Sequence, residues 1–183
     1  TGHKDFTGST ITDTNGHGSN IVSLIAKGNE SADYCVMVLK YYSEETADRS
    51  LTLELEAIQY AIEQKVDILN MSLSGYEYSK KECLLIKEAL NRGIKIVAAA
   101  GNEGYNLAKT KVYSSMCDDR IKVVMNYDKD TIHYTSNYGS NVIKERGTNQ
   151  YGVSAKALPE FKTGTSQATA NYTAKLLKQL GGN

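Results

Sequence analysis

The sequence contains no tryptophan, one proline, two phenylalanines and three cysteines in 183 residues. With so little proline, and with no low-complexity run or internal repeat, there is no linker to divide the chain, and one domain is expected. The cysteines, Cys35, Cys83 and Cys117, are odd in number and widely spaced, with no CxxC pair. Neither a disulfide framework nor a zinc site is indicated, and none of the three lies at a Gly-flanked turn suited to a nucleophile. Cys35, in "YCVMVL", reads as a small core residue of a buried strand. Net charge is also absent, because Lys+Arg and Asp+Glu stand at 21 each. No basic stripe is present, which argues against a nucleic-acid partner. No apolar run approaches the length that spans a bilayer, and the opening "TGHKDF" is not a signal peptide.

What the sequence does contain is alternation. "SNIVSLIAKGN" places Ile21, Val22, Leu24 and Ile25 on a helical stripe ending near Gly28, with Asp13, Thr14 and Asn15 as candidate N-caps. "YCVMVLKYY" reads as a buried parallel strand. "SLTLELEAIQYAIEQKV" reads as a helix with Leu51, Leu55, Ile58, Ala61 and Ile62 on one face, followed by a strand in "DILNMSLSG". A second amphipathic helix, "SKKECLLIKEALNRGI", ends at Gly93 and precedes the strand "KIVAAAGNEG". "IKVVMNY" and "TIHYTSN" suggest two more short strands, and "TGTSQATANYTAKLLKQLGGN" a closing helix ended by Gly181 and Gly182. This order predicts an α/β fold, a mainly parallel sheet with helices on both faces.

In such sheets functional groups collect at the carboxyl ends of the strands. Three Gly/Ser/Asn-rich breaks fall at strand ends or helix starts: "NGHGS", "MSLSG" with "AGNEG", and "TGTSQ". They offer an imidazole, a carboxamide and a hydroxyl, the parts of acyl transfer: base, oxyanion donor and nucleophile. Taken singly, each has a plainer explanation. Ser166 at a helix head is an ordinary N-cap, and His17 between two glycines is an ordinary first-turn residue.

Taken together and in this order, "NGHGSNIVSLIA", "DILNMSLSG", "IVAAAGNEG" and "GTSQATA" resemble the subtilisin-like serine proteases (subtilases). The resemblance covers essentially the whole chain and implies a three-layer subtilisin-like fold in a single peptidase domain over residues 1–183. It implies His17 as general base, Ser166 as nucleophile and Asn102 as oxyanion donor. Ser72, Leu73 and Ser74 would pair with an extended peptide or protein substrate, and Ala99, Ala100 and Gly101 would border the pocket for the residue before the cleaved bond. No cofactor is implied. Calcium is frequent in the family, but no carboxylate cluster here matches a metal site. A pro-segment or inhibitor upstream and a secreted or cell-surface location are also typical of such proteins, although this chain carries no signal peptide.

The chain departs from the family pattern at several points. The triad aspartate belongs to an Asp-Ser/Thr-Gly strand well upstream of the histidine, and residues 1–16 contain no such motif. "HKDF" resembles a segment just after that aspartate, so the expected alignment places the aspartate before Thr1. The domain thus reads as shortened at its N-terminus and brief beyond the nucleophile helix. Asp13 has a sufficient explanation as a helix-start carboxylate, and Asp5 matches a structural position. Ala170 replaces a proline without threat to the helix, Asn171 replaces a histidine, and Ser74 replaces a glycine. His133, Asp67 and Glu103 read as local packing or hydrogen-bonding residues. The 13 tyrosines are compatible with a peptide groove and do not specify one.

Overall fold

The structure, a computed structural model, describes residues 2–30 and 33–181. β1 (Lys4–Asp5) pairs in parallel with β2 (Leu39–Lys40), apart from the main sheet. The main sheet is built from β3 (Ile68–Met71), β4 (Lys95–Ala99), β5 (Lys122–Asp128) and β7 (Ile143–Glu145), paired in parallel in that order. β6 (Thr131–Ile132) turns back antiparallel on the end of β5. β8 (Gln150–Val153) and β9 (Pro159–Lys162) form a separate hairpin.

The strands sort their side chains by parity. Ile96 and Ala98 join Met71, Ile58, Ile62, Ile86 and Ala89 in the core under α2 (Ser50–Glu63) and α3 (Lys80–Asn91). Val97, from the alternate position, meets Val124 and Ala168 under α4 (Thr165–Leu180). α4 also packs on α1 (His17–Ala26) through Ala170, Ile21 and Leu24. The small residues Ala168 and Ala170 are fully buried, which lets α4 lie close to sheet and helix alike. The result is the expected three layers, with helices on both faces. α4 runs unbroken through Ala170, where the family pattern has proline.

Several expectations need correction. Residues 33–38 do not form the buried strand read from "YCVMVL"; only Leu39–Lys40 are strand, and Cys35 is exposed. An all-apolar run reads as a strand covered on both sides, but this one borders an open cleft. Cys83 and Cys117 are joined by a disulfide. Their separation of 34 residues forms no local motif, and only the packing of α3 against the 112–117 segment brings them together. In α2 the buried face runs through Leu53, Ala57, Ile58, Ala61 and Ile62, while Leu51 points outward. The helix starts at Ser50, so Leu51 sits in the first turn, outside the packed stretch. "TIHYTSN" contributes only Thr131–Ile132 as strand, and β7, β8 and β9 had no periodic signal to announce them. Gly182, read as part of the last helix stop, lies outside the described residues.

Candidate active site

α1 starts directly after Gly16, whose φ of +88° is left-handed. A side chain there would press on the main-chain nitrogen of Ala155, at 3.1 Å, so glycine suits both the turn and the approach. The turn is organised by Asp13. Its carboxylate accepts from the N–H groups of Asn15, Gly16 and Ser19 at 3.0, 2.7 and 2.7 Å, and from the Ser19 hydroxyl at 2.7 Å. Burial pushes this carboxyl up, but those donors outweigh it and hold it below the usual carboxylate range. The Asn15 side chain accepts from the His17 N–H at 3.2 Å. His17 is thereby fixed in the first turn, half-buried.

Ser166 occupies the first turn of α4. Its Oγ donates to the main-chain oxygen of Ser72 at 3.2 Å, and the Ser72 hydroxyl donates back to the Ser166 main-chain oxygen at 3.3 Å. Nε2 of His17 lies 3.3 Å from the same Ser72 oxygen. The imidazole and the hydroxyl therefore meet on a third atom, just past the end of β3, rather than on each other. The Ser166 N–H, at a helix start, has no partner four residues back in the helix.

Asn102 follows the end of β4. Its side-chain oxygen accepts from the Thr165 N–H at 2.8 Å and from the Thr165 hydroxyl at 3.2 Å. With the oxygen engaged, the Nδ2 group is the free donor of this carboxamide. Ala99, Ala100 and Gly101, which lead into it, are buried. Gly101, at φ +99°, has no room for a Cβ beside Asn137 and Glu103. Asn137 was not identified from sequence. Its amide oxygen accepts from the Tyr105 N–H at 2.7 Å, and its Nδ2 donates to the Ala100 oxygen and to Glu103, both at 2.8 Å. It clamps the turn that carries Asn102, and it carried no signal because it sits in a segment read as strand. Ser72, Leu73 and Ser74 continue from β3; Leu73 packs into the core and Ser74 is exposed. Gly75 then pairs with Tyr113, whose N–H donates back at 2.8 Å.

Among the described residues no carboxylate bonds the imidazole. Asp13 is committed to its turn, and Asp5 accepts from the Thr7 hydroxyl at 2.8 Å. Among the described residues Nδ1 of His17 makes no hydrogen bond. A cleft of about 690 Å³ runs from His17 and Gly18 along β3, between it and residues 33–39. The outer edge of β3 is unpaired there among the described strands. His133 bonds the Thr135 hydroxyl at 2.9 Å and stacks on Tyr134, taking no part in this constellation. Among the described residues no group of three or more His, Cys, Asp or Glu side chains is placed to hold a metal ion, and no helix is long and apolar enough to cross a membrane. The site gathers an imidazole, a hydroxyl and two N–H groups near the ends of two parallel strands, the group types that acyl transfer employs.

The profile of the Subtilase family matches residues 2–180. The minor extracellular protease Epr of Bacillus subtilis is 30% identical over 184 residues, covering 93% of this chain and 28% of that protein. The intracellular serine protease of Paenibacillus polymyxa is 28% identical over 180 residues, covering 92% of this chain and 55% of that protein. The major intracellular serine protease of B. subtilis is 32% identical over 111 residues, covering 57% of this chain and 35% of its own. The chain thus spans between 28% and 55% of the length of these relatives. The crystal structure of a cold adapted subtilisin-like serine proteinase superposes with a TM-score of 0.84 at 20% identity, covering 99% of this chain and 68% of that one. A lanthipeptide protease superposes at 0.79 with 15% identity, covering 91% of this chain and 61% of that one.

Proposed function

Because the chain belongs to the subtilase family, we propose that it acts as a serine endopeptidase through an acyl-enzyme on Ser166. The observation that carries this reading is the convergence of His17 Nε2 and Ser166 Oγ on the Ser72 main-chain oxygen, at 3.3 and 3.2 Å. An extended substrate laid along Ser72, Leu73 and Ser74 would present an N–H to that oxygen and release both groups from it. Ser166 Oγ then gives its proton to His17 Nε2 and attacks the peptide carbonyl carbon. The carbonyl oxygen becomes an oxyanion received by Asn102 Nδ2–H and the Ser166 N–H. His17 passes the proton to the departing amine, and water repeats the sequence on the ester. Ala99, Ala100 and Gly101 border the side chain before the cleaved bond.

A second reading, a catalytically impaired domain that binds peptides, is favoured by one observation. A carbonyl oxygen only accepts, so a hydrogen bond in the His17–Ser72 contact requires the tautomer with the proton on Nε2. In that tautomer the imidazole has no lone pair for Ser166. A carboxylate at Nδ1 would draw the proton to that side and leave Nε2 free. The cleft beside His17, along the edge of β3 that is unpaired among the described strands, leaves room for a strand bearing such a carboxylate. The deciding measurement is labelling with a fluorophosphonate probe, with Ser166→Ala as control. Labelling of Ser166 is expected in this chain or in a longer form carrying an Asp-Ser/Thr-Gly strand. Failure in both forms overturns the protease reading and leaves the binding module.

A further inference from the structure

β3 carries a residue that sheet packing does not call for. Leu69 and Met71 join the core under α2 and α3. Ile68 faces the other way, into the cluster of Val97, Val124 and Ala168 under α4. Asn70 shares the parity of Ile68, where an aliphatic side chain would bury without a polar penalty. Its carboxamide is instead engaged at both ends. Oδ1 accepts from the Thr173 hydroxyl at 2.8 Å, and Nδ2 donates to Ser72 Oγ at 2.9 Å. The Ser72 hydroxyl in turn donates to the Ser166 main-chain oxygen at 3.3 Å.

From this chain we propose that Asn70 is a positioning residue, the central link of a Thr173–Asn70–Ser72 relay that fixes the Ser166 peptide group for attack. The proposal rests on the reading of Ser166 as nucleophile. The direction of the chain is set by chemistry. Asn70 Nδ2 can only donate, so it takes a lone pair of Ser72 Oγ and leaves the one Ser72 proton for Ser166. Thr173, itself buried, lies seven residues beyond Ser166, two turns along the same helix face. The relay therefore ties two points of one face of α4 to the end of β3. Ser166 is held from its carbonyl side, while its N–H side stays open for an oxyanion. Successive hydrogen bonds of this kind polarise one another, so cutting one link loosens the rest.

Two measurements test it. Thr173→Val removes only the hydroxyl, Thr173→Ser retains it, and Asn70→Asp keeps the shape while replacing the donor. In the form of the chain that labels with fluorophosphonate, Thr173→Val and Asn70→Asp are expected to slow labelling of Ser166 about tenfold, with Thr173→Ser close to the parent. Unchanged labelling in Asn70→Asp overturns the relay. The second measurement needs no activity: thermal midpoints of Thr173→Val, Ser72→Ala and their combination. Thr173 and Ser72 are linked in the relay only through Asn70, so the combined loss should fall short of the summed losses by about 2 °C or more. That shortfall should vanish in an Asn70→Ala background. Strict additivity overturns the relay. If no form of the chain labels, the protease reading fails, and the midpoint cycle still decides whether the relay exists.

Discussion

The side-chain oxygen of Asn102 accepts from the main-chain N–H of Thr165, the residue before Ser166, at 2.8 Å. The Thr165 hydroxyl adds a second bond to the same oxygen at 3.2 Å and receives the Gly101 N–H at 3.3 Å. The proposed oxyanion donor is therefore tied to the residue preceding Ser166, the proposed nucleophile. Asn102→Ala is expected to lower kcat by about 10²–10³-fold, a size known for the oxyanion asparagine of subtilisin itself. Thr165→Val keeps the main-chain bond and loses the hydroxyl. Its kcat should fall about tenfold with KM nearly unchanged, because the aim of Asn102 matters only once charge develops. Steady-state kinetics on a chromogenic peptide separate the two terms; a change confined to KM would contradict the assignment.

The Cys83–Cys117 disulfide staples α3 to the segment that pairs with Gly75 through Tyr113. Tyr78 and Tyr113 add an edge-on ring contact at 5.4 Å across the same junction. Closing a loop of 34 residues stabilises a fold by about 3–4 kcal/mol on the chain-entropy account. Denaturant titration should show a loss of about 2–4 kcal/mol in Cys83→Ser/Cys117→Ser. A reducing dithiol should lower the midpoint of the parent and leave the double variant unmoved. A parent indifferent to reductant would show that the staple contributes nothing.

How far these features could be read from sequence depends on whether their causes are local. The places of His17 and Ser166 at helix starts and of Asn102 just past a strand were legible because each sits in a glycine-marked break. The mainly parallel α/β architecture was legible because apolar strands alternate with amphipathic helices. Asn137 and the Cys83–Cys117 pair were not legible, because their partners come from far along the chain. The segment 33–38 misled for a different reason. Apolar composition reports what a strand is made of and not whether a neighbour is present to cover it. β8 and β9 are short and half exposed, with Tyr151 and Phe161 turned outward as a T-shaped pair, so they lack the periodicity of a core strand.

Glu54 and Glu82 place two carboxyl groups under the Ser114 hydroxyl, which donates to Glu54 at 3.2 Å. Burial first, and then the charge of Glu82, push the Glu54 carboxyl up to about 7; burial raises Glu82 as well. A carboxyl raised on folding binds its proton more tightly in the native state. Its stabilising share is complete below the ordinary carboxylate range near 4.3 and is lost as pH climbs through about 7. Unfolding free energy should therefore fall between about pH 5 and 8. Glu54→Gln should flatten that decline and gain about 2 kcal/mol at pH 8, allowing for screening of the partly solvated side chain, with little gain at pH 5. Denaturant curves of parent and variant across that range check the slope, and parallel curves would remove Glu54 from the account.

Asp13 works in the opposite sense. Its carboxylate holds the Asn15, Gly16 and Ser19 N–H groups that lead into His17, and its carboxyl is held below the usual range. A depressed carboxyl contributes stability above its unfolded value, near 3.9, and loses it as pH falls through the lower folded value. Asp13→Ala should cost about 1–2 kcal/mol at pH 7, the range for losing a helix-start cap. The difference from the parent should shrink as the pH is taken below 4. Because the same carboxylate sets where α1 begins, the variant should also slow fluorophosphonate labelling of Ser166 in whichever form of the chain labels. Asp13→Asn keeps one accepting oxygen and should fall between parent and alanine in both measurements. A variant that loses stability at every pH alike, with labelling intact, would show that Asp13 supports the turn as a shape and not as a charge, and that His17 keeps its place without it.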